Sequence, residues 1–231
     1  MEIMEMNNKP GALPEEGTNN GMDLSRRRFF QLAGGIAGAG LLLSAASCRR
    51  TPPSDTYVGE GDIALLNYLY ILKQVTVNFY AQAVATPYYG ITKEETVLQV
   101  DLRDQEVVHR EYLKKILATN AVKDITTQLS AVTFADKKSF LTHASGLEDL
   151  NVAAYAGVLK VIKNNELILT IAKMASVDAR HAGYMHDLLA HNSFGPLDNN
   201  GLDAVIAPLK GFQTMQQYIE TKFDTSKLPT Y

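Results

Sequence analysis

The sequence predicts an all-α fold, a four-helix bundle followed by a short fifth helix. From Asp62 to His191, apolar residues recur at helical spacing in four long segments. Breaks rich in Gly, Pro and Asn separate those segments. No stretch carries the alternation of a half-buried strand. Four helices of about 20 residues or more, joined by short to moderate connections, pack as a bundle.

The first helix starts at Asp62, an N-cap residue type. Ile63, Leu66, Leu69, Tyr70 and Leu72 follow at helical spacing, and the pattern runs to about Ala85 before Pro87 and Gly90 break it. Thr92 caps the second helix, with Glu95 completing a capping box. That helix carries Val97, Leu98, Val100, Val107, Val108 and Leu113 and ends near Ala118. Asp136 caps a third helix that reaches about Lys163, and its small residues Ala144, Ala153, Ala154, Ala156 and Gly157 favour close interhelical packing. Asn164 and Asn165 form a turn, and a fourth helix runs from Glu166 to about His191. Asn192 to Asn200 is a loop with Gly195 and Pro196, and Pro208 to Lys222 contains the short amphipathic fifth helix.

The 231 residues, 46% hydrophobic and 20% charged, suit one globular domain once a leader is set aside. The expected division is 1–48 leader, 49–61 linker, 62–191 bundle and 192–231 C-terminal loop, helix and tail. Met1–Met22 is polar, and Ser25-Arg26-Arg27-Arg28-Phe29 precedes an apolar run from Leu32 to Ala46. That run is about 15 residues, short of the roughly 20 of a membrane-spanning helix. Arg26 and Arg27 in this setting resemble a twin-arginine signal, which implies the twin-arginine export machinery as a partner. Cys48, preceded by small residues, resembles a bacterial lipoprotein cleavage site. Two readings of it stay open: lipidation that tethers the chain to a membrane, or cleavage nearby that leaves Cys48 incidental. Both place the protein in the bacterial envelope, periplasmic or membrane-tethered.

A net charge of -3 and the lack of a basic patch in the body argue against nucleic-acid binding. One cysteine excludes an intramolecular disulfide and a cysteine-based zinc site.

Chemistry concentrates on three helices. The second holds Glu106 and His109, and the fourth holds Asp178 and His181. Each carboxylate and histidine lie three residues apart, so both point the same way. Pairs of this kind, with a lone carboxylate from each remaining helix, hold two iron or manganese ions in carboxylate bundles. Glu148 supplies the lone carboxylate on the third helix. His143, His186 and His191 fall outside this register, as surface or helix-end residues without a nameable partner.

Aligning the first and third helices on Tyr80 and Tyr155 places Lys73 where Glu148 stands. The chain reads as a diverged repeat of one helix hairpin, with an ammonium where a carboxylate belongs. Thr76 and Asn78 are weak substitutes, and Gln74 lies about 100° round the helix from Lys73. Lys73 can repel a metal, or pair with Glu106 or Glu148 and stabilise a metal-free bundle. Asp178 is one methylene shorter than Glu, which shortens its reach by about 1.5 Å. The expectation is one occupied metal position, or none, near Glu148, Asp178, His181 and His109.

The stretch from Asp104 to Leu113, Leu147 to Tyr155, and Ala175 to Tyr184 resemble motifs of the bacterial ferritin-like domain family that includes desiccation-related proteins. Leu66-Asn67 and Phe79-Tyr80 match its first helix. The resemblance implies a ferritin-like four-helix bundle and a dinuclear iron site. This sequence departs from the pattern at Lys73 and Thr76, where the family commonly has glutamates, and at Asp178, where Glu is usual.

The functional expectation is an exported iron- or manganese-binding protein, with ferrous-ion oxidation or protection against oxidants as candidate activities. In that reading Tyr80 and Tyr155 lie beside the site. The alternative is a metal-free bundle with a structural or partner-binding role in the envelope.

Overall fold

The computed structural model describes residues 56–231. The leader, with Arg26, Arg27 and Cys48, lies outside the described residues. The long helices are α1 (Gly61–Ala85), α2 (Lys93–Leu117), α3 (Lys137–Leu159) and α4 (Asn165–Leu189), followed by the short α5 (Pro208–Met215). Among the described residues, no helix is long and apolar enough to cross a membrane. α1 and α2 form one antiparallel hairpin and α3 and α4 a second; the hairpins meet chiefly through α1 and α3.

α1 is the central element because it is apolar nearly all round. Every residue from Ala64 to Val77 is buried, Lys73 included. α2 covers one side of it, and α3 and α5 cover others. α2 behaves differently. Its buried stripe is Glu95, Gln99, Leu102, Glu106, His109, Leu113 and Leu117, at steps of three or four. Val97 is 51% exposed, and Val107 and Val108 are only half-buried. The inward face of α2 is therefore set by Leu102, Leu113 and Leu117, not by the valines that flank the Glu106–His109 pair. At one end of the bundle Phe79 stacks on Phe140 with ring centroids 5.6 Å apart, and Tyr80 meets Phe79 edge-on at 5.4 Å.

The capping box of Thr92 and Glu95 forms as the sequence predicts, and Asp136 caps α3 through Ser139 N. Other ends differ. Glu60 precedes α1 without a side-chain cap, whereas the Asp62 carboxylate accepts from Lys163 N at 3.0 Å and Asn164 N at 2.8 Å. These two bonds tie the start of α1 to the α3–α4 turn. α3 ends at Leu159, short of Lys163, because the chain turns there to present those two amides. Asn164 caps α4 by accepting from Glu166 N, so Asn165 is helical.

Two short parallel strands, β1 (Thr56–Tyr57) and β2 (Phe223–Asp224), pair beside the bundle. Two residues are too few to show alternation, so the sequence pattern missed them. The small residues of α3 also serve an unexpected partner. Ile206 N donates to Ala153 O at 3.2 Å, and a Cβ on Gly157 would stand 1.9 Å from Ile206 O. The close approach there is to an extended segment, not to another helix.

Candidate metal centre

Six ionisable side chains from all four long helices converge between the hairpins: Lys73 from α1, Glu106 and His109 from α2, Glu148 from α3, and Asp178 and His181 from α4. All are buried. A buried charge needs partners, and Lys73 has two. Its Nζ donates to Glu106 Oε2 at 2.7 Å and to Asp178 Oδ2. The second bond goes to Asp178, not to Glu148 as one sequence-based alternative had it.

The other oxygen of each of these carboxylates has no aligned hydrogen bond and instead faces a histidine nitrogen. Glu106 Oε1 and Asp178 Oδ1 make no hydrogen bond, and neither do His109 Nδ1 and His181 Nδ1. These four atoms face one another. His109 Nδ1 lies 3.1 Å from Asp178 Oδ1, and His181 Nδ1 lies 3.3 Å from Glu106 Oε1, both out of hydrogen-bonding alignment. His181 Nδ1 is also 3.8 Å from Glu148 Oε1 and 4.0 Å from Asp178 Oδ1. Glu106, Asp178 and His181 each offer one ligand atom within 4.8 Å of the others, a group that could hold a metal ion. His109 and Glu148 stand beside that group.

The contacts are reciprocal between the hairpins. Each histidine faces the carboxylate of the opposite hairpin. Tyr80 of α1 donates to Glu148 Oε1 of α3 at 2.7 Å, while the ring of Tyr155 on α3 lies 5.3 Å from the Lys73 ammonium on α1. The repeat read from Tyr80 and Tyr155 thus has a spatial counterpart, with Lys73 opposite Glu148.

Electrostatics follows from burial and these partners. Burial disfavours the Lys73 ammonium, but Asp178 and Glu106 outweigh it and hold its pKa well above the ordinary lysine value. Burial likewise opposes the Asp178 carboxylate, yet Lys73 and then His109 lower its pKa. For Glu148 burial wins, reinforced by the charge on Glu106, and its pKa is pushed up to about 7. Burial disfavours the His181 imidazolium, but Glu106, Glu148 and Asp178 together raise its pKa.

Asn151 completes the Glu148 surroundings, donating to Glu148 Oε2 at 3.1 Å and reaching Thr76 Oγ1 at 3.3 Å. Gln105 Oε1 lies 3.0 Å from His181 Nε2. Sequence reasoning did not single out either residue. Asn151 carries a usable signal, three residues after Glu148 on the same face. Gln105 sits one residue before Glu106 and has none.

Of the neutral substitutes proposed for Lys73, Thr76 touches the site only through Asn151, and Asn78 and Gln74 do not enter it. Thr76 bonds Leu72 O, Asn78 bonds Thr127, and Gln74 accepts from Ile125 N. The three outlying histidines do have partners. His143 meets Tyr218 Oη at 2.9 Å, His186 meets Asp149 at 2.9 Å, and His191 lies 3.2 Å from Asp187. The partners of His143 and His186 come from the C-terminal segment and from α3, where helical register on one element gives no guide, whereas Asp187 lies one turn before His191 at helical spacing.

The family described as Ferritin-like domain matches residues 61–191. Among curated proteins none matches the chain.

Proposed function

The chain belongs to the ferritin-like domain family, and from that premise we propose that it is an exported protein holding one divalent metal ion, iron or manganese. Glu106, Asp178, His181 and Glu148 are the ligands in this reading, with His109 at the edge. The observation that carries it is the set of four unpartnered, buried donor atoms, Glu106 Oε1, Asp178 Oδ1, His109 Nδ1 and His181 Nδ1. Buried polar atoms that face one another without hydrogen bonds are costly. A cation among them removes the cost, and mixed carboxylate and imidazole donors suit iron or manganese.

Lys73 stands where a second cation would. It bonds the outer oxygens of the same two carboxylates whose inner oxygens face the candidate position. The charge of three carboxylates is then balanced by the ammonium and one divalent ion. Bound ferrous iron would supply electron transfer to oxygen or peroxide, the chemistry by which such a protein could protect the envelope. The chain's own contribution is to hold Glu148 through Tyr80 and Asn151, to fix both shared carboxylates on Lys73, and to exclude water by burial.

Ferrous-ion titration and elemental analysis of the full chain test the proposal. One ion per chain supports it, and two show that Lys73 does not block the second position. No binding with an intact helical signal favours the second reading, a metal-free bundle in the envelope. The Lys73 ion pairs speak for that reading, because they already compensate two of the buried carboxylates.

Export rests on the leader alone. Replacing Arg26 and Arg27 by Lys should retain the protein in the cytoplasm, and Cys48→Ser should abolish incorporation of a labelled fatty acid. Unchanged export and labelling would remove both expectations.

A further inference from the structure

The two halves of the site are not equivalent, and the difference lies beyond the ligands. A neutral imidazole carries one ring proton, so one nitrogen donates and the other offers a lone pair. His181 Nε2 faces a carbonyl-type oxygen, Gln105 Oε1, at 3.0 Å. Its Nδ1 faces Glu106 Oε1 at 3.3 Å and Glu148 Oε1 at 3.8 Å. With the proton on Nε2, the Gln105 bond is satisfied and the Nδ1 lone pair faces carboxylate oxygens, a repulsion that a cation placed between them removes. With the proton on Nδ1, a lone pair would oppose the Gln105 oxygen as it stands, and the amide would have to turn over to donate its NH2 instead.

We propose that Gln105 is a positioning residue that keeps the His181 ring proton on Nε2 and so presents Nδ1 to a metal ion. Gln105 lies on α2 and His181 on α4, so the bond spans the two hairpins on the side away from their main α1–α3 contact. Gln105 is exposed, whereas His181 is buried. The amide therefore caps the ring from outside, and its removal disturbs no packed core. The repeat sharpens the point. Gln105 precedes Glu106 as Val177 precedes Asp178, and Val177 has no polar side-chain atom to offer His109. The half that retains a carboxylate, Glu148, has its histidine faced by a glutamine; the equivalent position in the half that carries Lys73 holds a valine. Groups that orient a ligating histidine through its second nitrogen typically change metal affinity about 10–100-fold when removed.

The inference deepens the metal reading, and its test separates the two. In full-length protein with 15N-labelled histidine, without metal and at a pH above the His181 titration, the wild-type ring should show the Nε2–H tautomer. Gln105→Leu should shift it toward Nδ1–H or a mixture. With Zn2+ as a diamagnetic probe, Gln105→Leu should bind about 10–100-fold more weakly. Gln105→Glu, which keeps an acceptor oxygen, should restore binding, and thermal unfolding of all three metal-free forms should match closely. An Nδ1–H tautomer in the wild type, or Gln105→Leu binding zinc as the wild type does, overturns the role of Gln105. If the wild type binds no zinc and no ferrous ion, the metal reading falls, and the tautomer measurement still decides what Gln105 does.

Discussion

The Lys73 ammonium bonds one carboxylate oxygen of Asp178 and leaves the other, Oδ1, without a hydrogen-bond partner. The same division holds at Glu106, where Oε2 is bonded at 2.7 Å and Oε1 is not. Two carboxylates thus face an internal cation on one side and unpartnered histidine nitrogens on the other.

Removing that ammonium leaves two buried carboxylates uncompensated. Lys73→Met should destabilise the metal-free protein by about 3–5 kcal/mol, the usual cost of breaking a buried ion pair from one side. Divalent metal should recover much of the loss, which thermal unfolding with and without Fe2+ would show. Lys73→Glu should go further and strengthen metal binding, because it restores the missing carboxylate; elemental analysis should then find a second ion per chain. Unchanged metal affinity in Lys73→Glu would count against the displaced-ligand reading.

The pH dependence of the metal-free fold has a sign that follows from Glu148. Its pKa is raised from 4.5 unfolded to about 7 folded, first by burial and then by Glu106. Between those values the folded chain binds more protons than the unfolded one, so this group's contribution to stability falls as pH rises from about 4.5 to 7. Asp178 acts in the opposite sense. Its lowered pKa contributes stability above the unfolded value of 3.8 that is lost as pH falls through the folded value. Glu148→Gln should therefore raise the melting temperature at pH 8 relative to wild type and give little gain at pH 5. A bound metal must displace the Glu148 proton, so affinity should rise by up to about tenfold per pH unit below neutrality and then level off.

Much of this architecture was legible in the sequence because the signals were local. Thr92, Glu95 and Asp136 announced helix starts through caps that close within three residues. The Glu106–His109 and Asp178–His181 pairs announced a shared face through a spacing of three. Lys73 stood out only by comparison with Glu148, an internal repeat. What stayed hidden depends on the other hairpin or on the C-terminal chain. Whether Lys73 would choose Asp178 or Glu148, and whether Gln105 would meet His181, are set by helix packing. Asp62 reads as a helix cap by residue type, but the α3–α4 turn comes close enough to take its carboxylate. The apolar residues around Glu106 also misled, since Val97 faces solvent and the inward stripe of α2 carries two glutamates, a glutamine and a histidine among its leucines.

The two site tyrosines should separate under mutation. Tyr80 donates to Glu148 Oε1 at 2.7 Å, whereas the Tyr155 hydroxyl has no hydrogen-bond partner. Tyr80→Phe removes a donor from a buried carboxylate, so Glu148 should hold its proton to higher pH and metal binding at pH 6 should weaken. A bond to a charged group contributes about 1.5–3 kcal/mol, which corresponds to roughly 10–100-fold in affinity. Tyr155→Phe deletes a group that is already unsatisfied and should change affinity by less. Calorimetric titration of both variants at pH 6 and pH 8 makes the comparison, and equal losses would show that the Tyr80 bond does not govern Glu148.

Two glycines of α3 make a matched pair for stability. Gly146 is exposed, and a Cβ there meets nothing within 4 Å. Gly157 is buried, and its Cβ would stand 1.9 Å from Ile206 O. Gly146→Ala should stabilise by about 0.5–1 kcal/mol, because alanine loses less backbone entropy in a helix. Gly157→Ala has the same helical gain, yet the obstacle is a backbone carbonyl, not a side chain that can rotate away. Ile206 is fixed by its bond to Ala153 O, and Gly157 O itself accepts from Tyr231 Oη at 3.1 Å. Accommodating a methyl group there means shifting the segment that leads into α5 and loosening the C-terminal tyrosine, at about 1–3 kcal/mol as for other overpacked sites. Denaturant unfolding of the two variants should move the midpoint in opposite directions. A Gly157→Ala midpoint at or above wild type would mean that the Ile206 segment yields freely and does not brace the end of α3.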